Sequence, residues 1–535
     1  MIGLSGCTVG APIVEMTDYW ADVLTARSGL RSQQNALASL AWSAATLDEH
    51  RSGRRWRDLD LQTTQCFGTG HSRPFPQREM NVFGTLSKGL RLASRIPADG
   101  KYIYALMSDS VSSLTGNNIE TQPHMKHLVA TIILCALASV TAHAAARESK
   151  PNVRTITAFV RLDRLMYEKQ IDDAMRVLSA ARAEFARRGY ETQTVRIVTQ
   201  PFGELVKGLS DTEALSFLRS LDELSQKDAF MPNVGPAMLH DTDDPAAMHL
   251  LAQVLSTLPH LNASAIIADD DGIHWKTIRE SAKLVRYVAD HSVHSQGTFL
   301  FAATAMLKPL GPFYPGAYHT GAGKQFSLGF EGASVVQQVF GSTHGDFDAS
   351  VAELARQLTI HARVGEEVGN AVAASSGWEF VGVDPTPAPL GDASIGDAIE
   401  RYTGSPFGSS GTMTAALAIT TAVKAVKVKQ VGYSGLMLPV MEDKRLAQRW
   451  AENTYEIDSL LAYSSVCGTG LDTVPLPGDV SEERLVKIFS DVAALAWKWH
   501  KPLTARLQPV TNKRAGDKTD FDSQYLFNTT LHPAH

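Results

Sequence analysis

Residues Val153 to Val198 read VRTITAFVRLDRLMYEKQIDDAMRVLSAARAEFARRGYETQTVRIV, and this stretch decides the fold. Val153 to Leu162 is rich in Val, Ile, Thr and Phe, the residue types that suit a pleated, half-buried backbone, and is predicted to be a strand. From Tyr167 to Arg188 the pattern changes period. Ile171, Met175, Leu178, Ala181 and Phe185 recur every three or four residues, which lays one apolar stripe along a helix. Thr192 to Val198 returns to a strand pattern.

The same alternation continues downstream. Helices are predicted over Asp211–Leu224, Pro245–Leu258, Trp275–Ala289, Asp348–Ala374, Gly411–Val426 and Ser481–Trp499. Strands are predicted over Ala263–Ala268, Thr298–Thr304, Phe380–Val383 and Leu503–Val510. Alternating elements of this kind imply an α/β fold with a largely parallel sheet or barrel. No composition break divides the region, so residues 147–535 are expected to form one large domain.

Upstream lies a segment of another kind. From Met125 the chain reads MKHLVATIILCALASVTAHAAARESK. It has a basic start at Lys126 and His127, an uncharged apolar run from Leu128 to Val140, and small residues suited to cleavage near Ala144 or Ala146. These are the three parts of a secretory signal peptide, and the apolar run is too short to span a bilayer. The expectation is a signal peptide over 125–146, a periplasmic or secreted product, and no stable membrane insertion after cleavage. Residues 1–124 then read as a spurious or disordered upstream extension, since they show no sustained helical or strand period. Cys7, Cys66 and Cys135 would leave with the leader, so Cys467 would remain alone, without an internal disulfide partner.

Charge excludes one class. Lys and Arg number 50 against 56 Asp and Glu, a net charge of −6, which is not the footprint of a nucleic-acid binder. A small-molecule substrate or ligand is the expected partner.

The chemistry is expected in glycine-rich turns. Gly408, Ser409, Ser410, Gly411 and Thr412 lead into a helix, where inward amides would favour an anion, or where the hydroxyls would cap the helix. Ser465 to Asp472 sets Cys467 between polar and glycine residues, with Asp472 and Asp479 following. That pattern suits a thiolate nucleophile, a substrate-contacting thiol, or carboxylates on a divalent cation; it equally suits a packed cysteine in a turn. Asp384, Glu442-Asp443 and Asp517 are further carboxylates placed after strands or in loops. His319, in the aromatic loop Tyr314-Pro315-Gly316-Ala317-Tyr318-His319, is a candidate acid or base.

Taken in order, Phe313 to His319, Gly382-Val383-Asp384, Phe407 to Thr412, Ser434 to Pro439 with Glu442-Asp443, Cys467 to Asp479, and Lys513 to Asp517 resemble a bacterial and archaeal family, domain of unknown function 711. The resemblance covers nearly all of Asn152 to Phe521. It implies a ten-stranded α/β barrel like that of pyruvate formate-lyase and anaerobic ribonucleotide reductase, in which a central finger loop presents a cysteine. Cys467 is the matching residue. Arg514-Ala515-Gly516-Asp517 departs from the glycine loop of the radical enzymes, so the radical chemistry is not implied.

The resulting expectation is an exported, non-radical enzyme, a hydrolase or lyase, acting on a small anionic substrate inside the barrel. Cys467, His319 and Asp472 are its catalytic candidates. Gly408 to Thr412, Asp384, Lys513 and Asp517 are its substrate-binding candidates. A periplasmic small-ligand binding protein without catalysis is the rival class.

Overall fold

The computed structural model describes residues 150–466 and 469–534. The expected extension, the signal segment and Cys467 lie outside the described residues.

The first half of the fold is strand, helix, strand in repetition. It runs through β1 (Asn152–Val160), α1 (Tyr167–Arg187), β2 (Thr192–Val198), α2 (Asp211–Lys227), β3 (Met231–Pro236), α3 (Ala246–Thr257), β4 (Asn262–Asp269), β5 (Gly272–Ile273), α4 (Trp275–His291) and β6 (Phe301–Ala305). The second half comprises β7 (Gly323–Glu331), α5 (Ala333–Thr343), α6 (Phe347–Ser376), β8 (Glu379–Asp384), α7 (Ile395–Thr403), α8 (Thr412–Lys424), α9 (Lys444–Ala451), α10 (Ile457–Ser464), β9 (Gly470–Pro477), α11 (Glu482–Trp499) and β10 (Leu503–Val510).

Local chemistry explains the boundaries. The α1 stripe buries Ile171, Leu178, Ala181 and Phe185 as its period requires. Full burial of one such large side chain contributes about 2–3 kcal/mol. Ser210 and Glu213 form a reciprocal capping box that starts α2. Asp346 caps α6, which ends where Gly377 turns left-handed.

Four strands were not foreseen by residue pattern: the two-residue β5, and β3, β7 and β9. β3 carries Pro232 and Pro236 inside the sheet, accommodated by a register irregularity between Asn233 and Pro236. β7 begins in the glycine-rich stretch after His319. β9 replaces the loop expected after Cys467. It holds Pro475 and Pro477 because it is the last strand of the sheet, where a missing N–H costs no ladder bond on the free side. The strand expected from Thr298 starts only at Phe301, since Val293–Leu300 is a 3-10 helix.

The α/β class and the ten-stranded sheet match the expectation. Strands β1, β2, β3, β4 and β6 lie side by side and parallel. β7 is antiparallel to β1 and carries β8; β10 is antiparallel to β6 and carries β9. β5 adds only a two-residue pairing to β4.

Strand pairing does not close this sheet into a barrel. Instead both edges touch one segment. Gln430 makes an isolated parallel bridge to Val383 of β8, and Pro439 makes one to Asp472 of β9. Flat, those edges would stand eight strand spacings apart, roughly 38 Å. Nine extended residues span at most about 31 Å, so the sheet must curl. The inner face therefore encloses space.

One apolar core runs from Val153 to Leu531 between the sheet and the helices. No helix of the described residues is long and apolar enough to cross a membrane.

Candidate functional site

The curl brings polar side chains from strands remote in sequence into one pocket. Arg154 comes from β1, Arg196 from β2, Asp472 from β9 and Arg506 from β10. Glu442 arrives on the segment that touches both sheet edges. All five are buried.

Four of the five are mutually paired. Glu442 accepts from Arg154 Nη2 on one oxygen and from Arg506 Nη2 on the other, each at 3.0 Å. Arg506 Nη1 reaches Asp472 at 3.2 Å, and its Nε donates to the Phe299 carbonyl at 3.1 Å. Such pairing offsets the several kcal/mol that each buried charge costs in desolvation.

Arg196 is the exception. Its Nε donates to Thr194 Oγ1 at 3.2 Å and its Nη1 to the Pro312 carbonyl at 3.5 Å. Tyr314 covers one face of the guanidinium, 4.6 Å from ring centroid to cation. Among the described residues, no carboxylate pairs with it. Burial and the neighbouring Arg154 charge lower its pKa to about 10, so it stays a cation at neutral pH.

Asp472 is the titratable group in this setting. Burial pushes its carboxyl up to about 6; Arg506 pulls it back and the Glu442 charge adds to the rise. A carboxyl so placed exchanges a proton close to neutrality, as a general acid or base must. Tyr433 lines the same pocket, and burial raises its phenol further from ionisation.

The segment that carries Tyr433 is held by Asp384. This fully buried carboxylate accepts from the amides of Tyr433 (2.8 Å), Ser434 (3.1 Å) and Thr386 (3.0 Å), and from the Thr386 hydroxyl. Burial lifts its pKa to about 6 against those bonds. Its oxygens are occupied by the fold, and the residue does not line the pocket.

The other expected residues stand elsewhere. His319 is buried at the end of β1, its Nε2 3.2 Å from the Val160 carbonyl and its ring edge-on to Phe159. Arg154 lies six residues earlier on that strand, roughly 20 Å away along it. Burial lowers the His319 pKa.

The Gly408 to Thr412 turn closes on itself. The Gly408 amide donates to Thr412 Oγ1, Ser409 to the Pro406 carbonyl, and Thr412 to the Ser409 carbonyl, each at 3.1 Å. Gly408, Ser409, Ser410, Gly411 and Thr412 are all outside the pocket lining. So are Lys513, which pairs with Asp520 at 3.3 Å, and Asp517, an exposed residue that accepts from the Arg514 amide.

Of the carboxylates considered for a cation, Asp472 pairs with Arg506, while Asp479 is exposed and lies outside the pocket lining. Among the described residues, no group of three or more His, Cys, Asp and Glu side chains is gathered to hold a metal ion.

The residues that residue-pattern reasoning missed are the arginines. Arg154, Arg196 and Arg506 each interrupt an otherwise apolar or β-branched strand, at VRTIT, TVRIV and TARLQ. A charge inside a buried strand is the readable anomaly.

The family profile described as Uncharacterised ACR (DUF711) matches residues 146–523. A UPF0210 protein of Pyrobaculum arsenaticum is 32% identical over 375 residues, covering 66% of this chain and 81% of that relative. A UPF0210 protein of Listeria monocytogenes is 25% identical over 404 residues, covering 70% and 89%. Among solved structures, the anaerobic ribonucleotide reductase from Thermotoga maritima in complex with dATP and CTP is similar with a TM-score of 0.35 and 7% identity, covering 71% of this chain and 79% of that one. With most of its length matched by the profile, the chain belongs to the DUF711 family.

Proposed function

We propose that this protein is an exported enzyme that binds a small anionic substrate in the arginine-lined pocket and moves a proton through Asp472. The observation that carries the reading is Arg196, a buried cation in a cavity without a carboxylate partner among the described residues. An isolated buried charge is costly, and an anionic ligand would supply the missing partner. Asp472, titrating near neutrality a short reach from Arg506, supplies the acid or base for hydrolysis or lyase chemistry. Cys467 lies two residues before Thr469, which lines the pocket, and remains the candidate nucleophile.

The test is proton NMR of mixtures of small organic anions incubated with the full chain. The expected result is one anion consumed, with a pH limb near 6 that disappears in Asp472→Asn. An anion that protects the chain from thermal unfolding yet is never converted would instead establish a binding protein. Export is tested by sequencing the mature N-terminus from the natural host: an end upstream of Met125 overturns it.

A further inference from the structure

The pocket has two chemically distinct sides. Phe313, Ala388, Tyr433 and Met437 belong to a small buried apolar cluster separate from the main core, and all four line the pocket. They make one continuous apolar wall. Facing the cavity from the sheet are the guanidinium groups. Aromatic rings cover two of these on one face, Tyr314 over Arg196 at 4.6 Å and Phe299 over Arg506 at 4.2 Å. Stacking of this kind fixes a guanidinium plane and leaves its edge as the donor side.

Cation and apolar wall are immediate neighbours. Arg196 Nη1 donates to the carbonyl of Pro312, the residue before Phe313. Among the described residues, Arg196 Nη2 makes no hydrogen bond. A ligand bound there would have its charged end at Arg196 and its body against Phe313.

Charge limits the ligand further. Among the described residues, the lining carries three guanidinium groups and two carboxylates, a surplus of one positive charge. Glu442 and Asp472 would repel the second charge of a phosphate dianion, whereas one carboxylate balances the surplus. A planar carboxylate also matches the guanidinium edge.

We propose that the ligand is a monocarboxylate on a flat apolar body, an arylcarboxylate in its simplest form. Its carboxylate pairs with Arg196 and its ring lies on the Phe313–Tyr433–Met437 wall. The inference rests on the anion-binding reading above and narrows it to one chemical class.

Calorimetric titration of the full chain with benzoate, acetate, benzyl alcohol and inorganic phosphate tests both levels. Benzoate is expected to bind about 30-fold more tightly than acetate, from the ring area removed from water. It should also bind more tightly than phosphate. Arg196→Gln is expected to weaken benzoate by about 10–100-fold. Met437→Thr should cut the preference for benzoate over acetate severalfold and leave acetate unchanged. Equal affinity for benzoate and acetate, or tighter phosphate, overturns the arylcarboxylate and leaves the anion pocket standing. Benzyl alcohol binding as well as benzoate, or no binding by any anion, overturns both.

Discussion

Arg154 and Arg506 hold the same carboxylate: each donates to a different oxygen of Glu442 at 3.0 Å, from β1 and β10, which stand five places apart in the sheet order. Roughly 24 Å of flat sheet would separate those strands. The shared carboxylate is thus a tie across the curled sheet as well as the floor of the pocket.

Breaking that tie should be costly. Arg506→Gln leaves Glu442 with one arginine partner and Asp472 with no cationic partner among the described residues, and the expected loss is about 3–5 kcal/mol. Arg196→Gln should act in the opposite sense. It removes a buried cation that has no carboxylate partner among the described residues, so the ligand-free protein gains about 1 kcal/mol while benzoate binding weakens by about 10–100-fold. Urea unfolding of both variants, with and without benzoate, reads the contrast.

Asp472 supplies a pH signature. Its folded pKa of about 6 lies above the ordinary aspartate value of 3.8, so the folded state holds the proton more tightly than the unfolded chain does. The stability this contributes is fully present below about pH 4 and is lost as the pH rises through about 6. Asp472→Asn should flatten that decline by on the order of 2–3 kcal/mol. Urea midpoints at pH 4.5 and pH 7 measure it, and an unchanged difference would contradict the assignment.

Asp443 starts two helices with one carboxylate. It accepts from the Ile395 and Gly396 amides at the head of α7 and from the Arg445 and Leu446 amides at the head of α9, with Ser394 Oγ at 2.6 Å. Asp443→Ala should cost about 2–4 kcal/mol, two capping losses together, while Asp443→Asn retains acceptor capacity and should cost less. Thermal unfolding distinguishes the two.

Gly432 has no room for a side chain. A Cβ there would lie 2.2 Å from Asp384 Oδ2, and its φ of +70° suits glycine. Gly432→Ala should cost about 2–4 kcal/mol and also weaken benzoate, because Tyr433 hangs from the next amide on Asp384. Destabilisation with unaltered benzoate affinity would separate the segment from the pocket.

The legible part of the fold was its local part. Apolar spacing from Ile171 to Phe185 specified α1, and the Val, Ile and Thr content specified β1 and β2, because period and residue shape act over a few neighbours. β3 and β9 were hidden by Pro232, Pro236, Pro475 and Pro477, which argue against strands unless edge position or bulge is known. At the site, Asp472 was named from its loop-like surroundings and occurs on a strand in the pocket. Gly408 to Thr412 offered glycine amides that the folded turn uses within itself. Asp384 was visible as a carboxylate after a strand, but not as the anchor of Tyr433 and Ser434.

By itself, then, the sequence determined the α/β class, the strands and helices whose period is unbroken, such as β1, α1 and β2, and the presence of arginines inside strands. Only the tertiary structure decided that Arg154 meets Glu442 across 288 residues, that Arg506 joins them, and that Arg196 has no acidic partner among the described residues. The physical reason is range. Backbone conformation is set mainly by nearest neighbours, whereas the cost and use of a buried charge depend on which distant groups the curled sheet brings within about 3 Å.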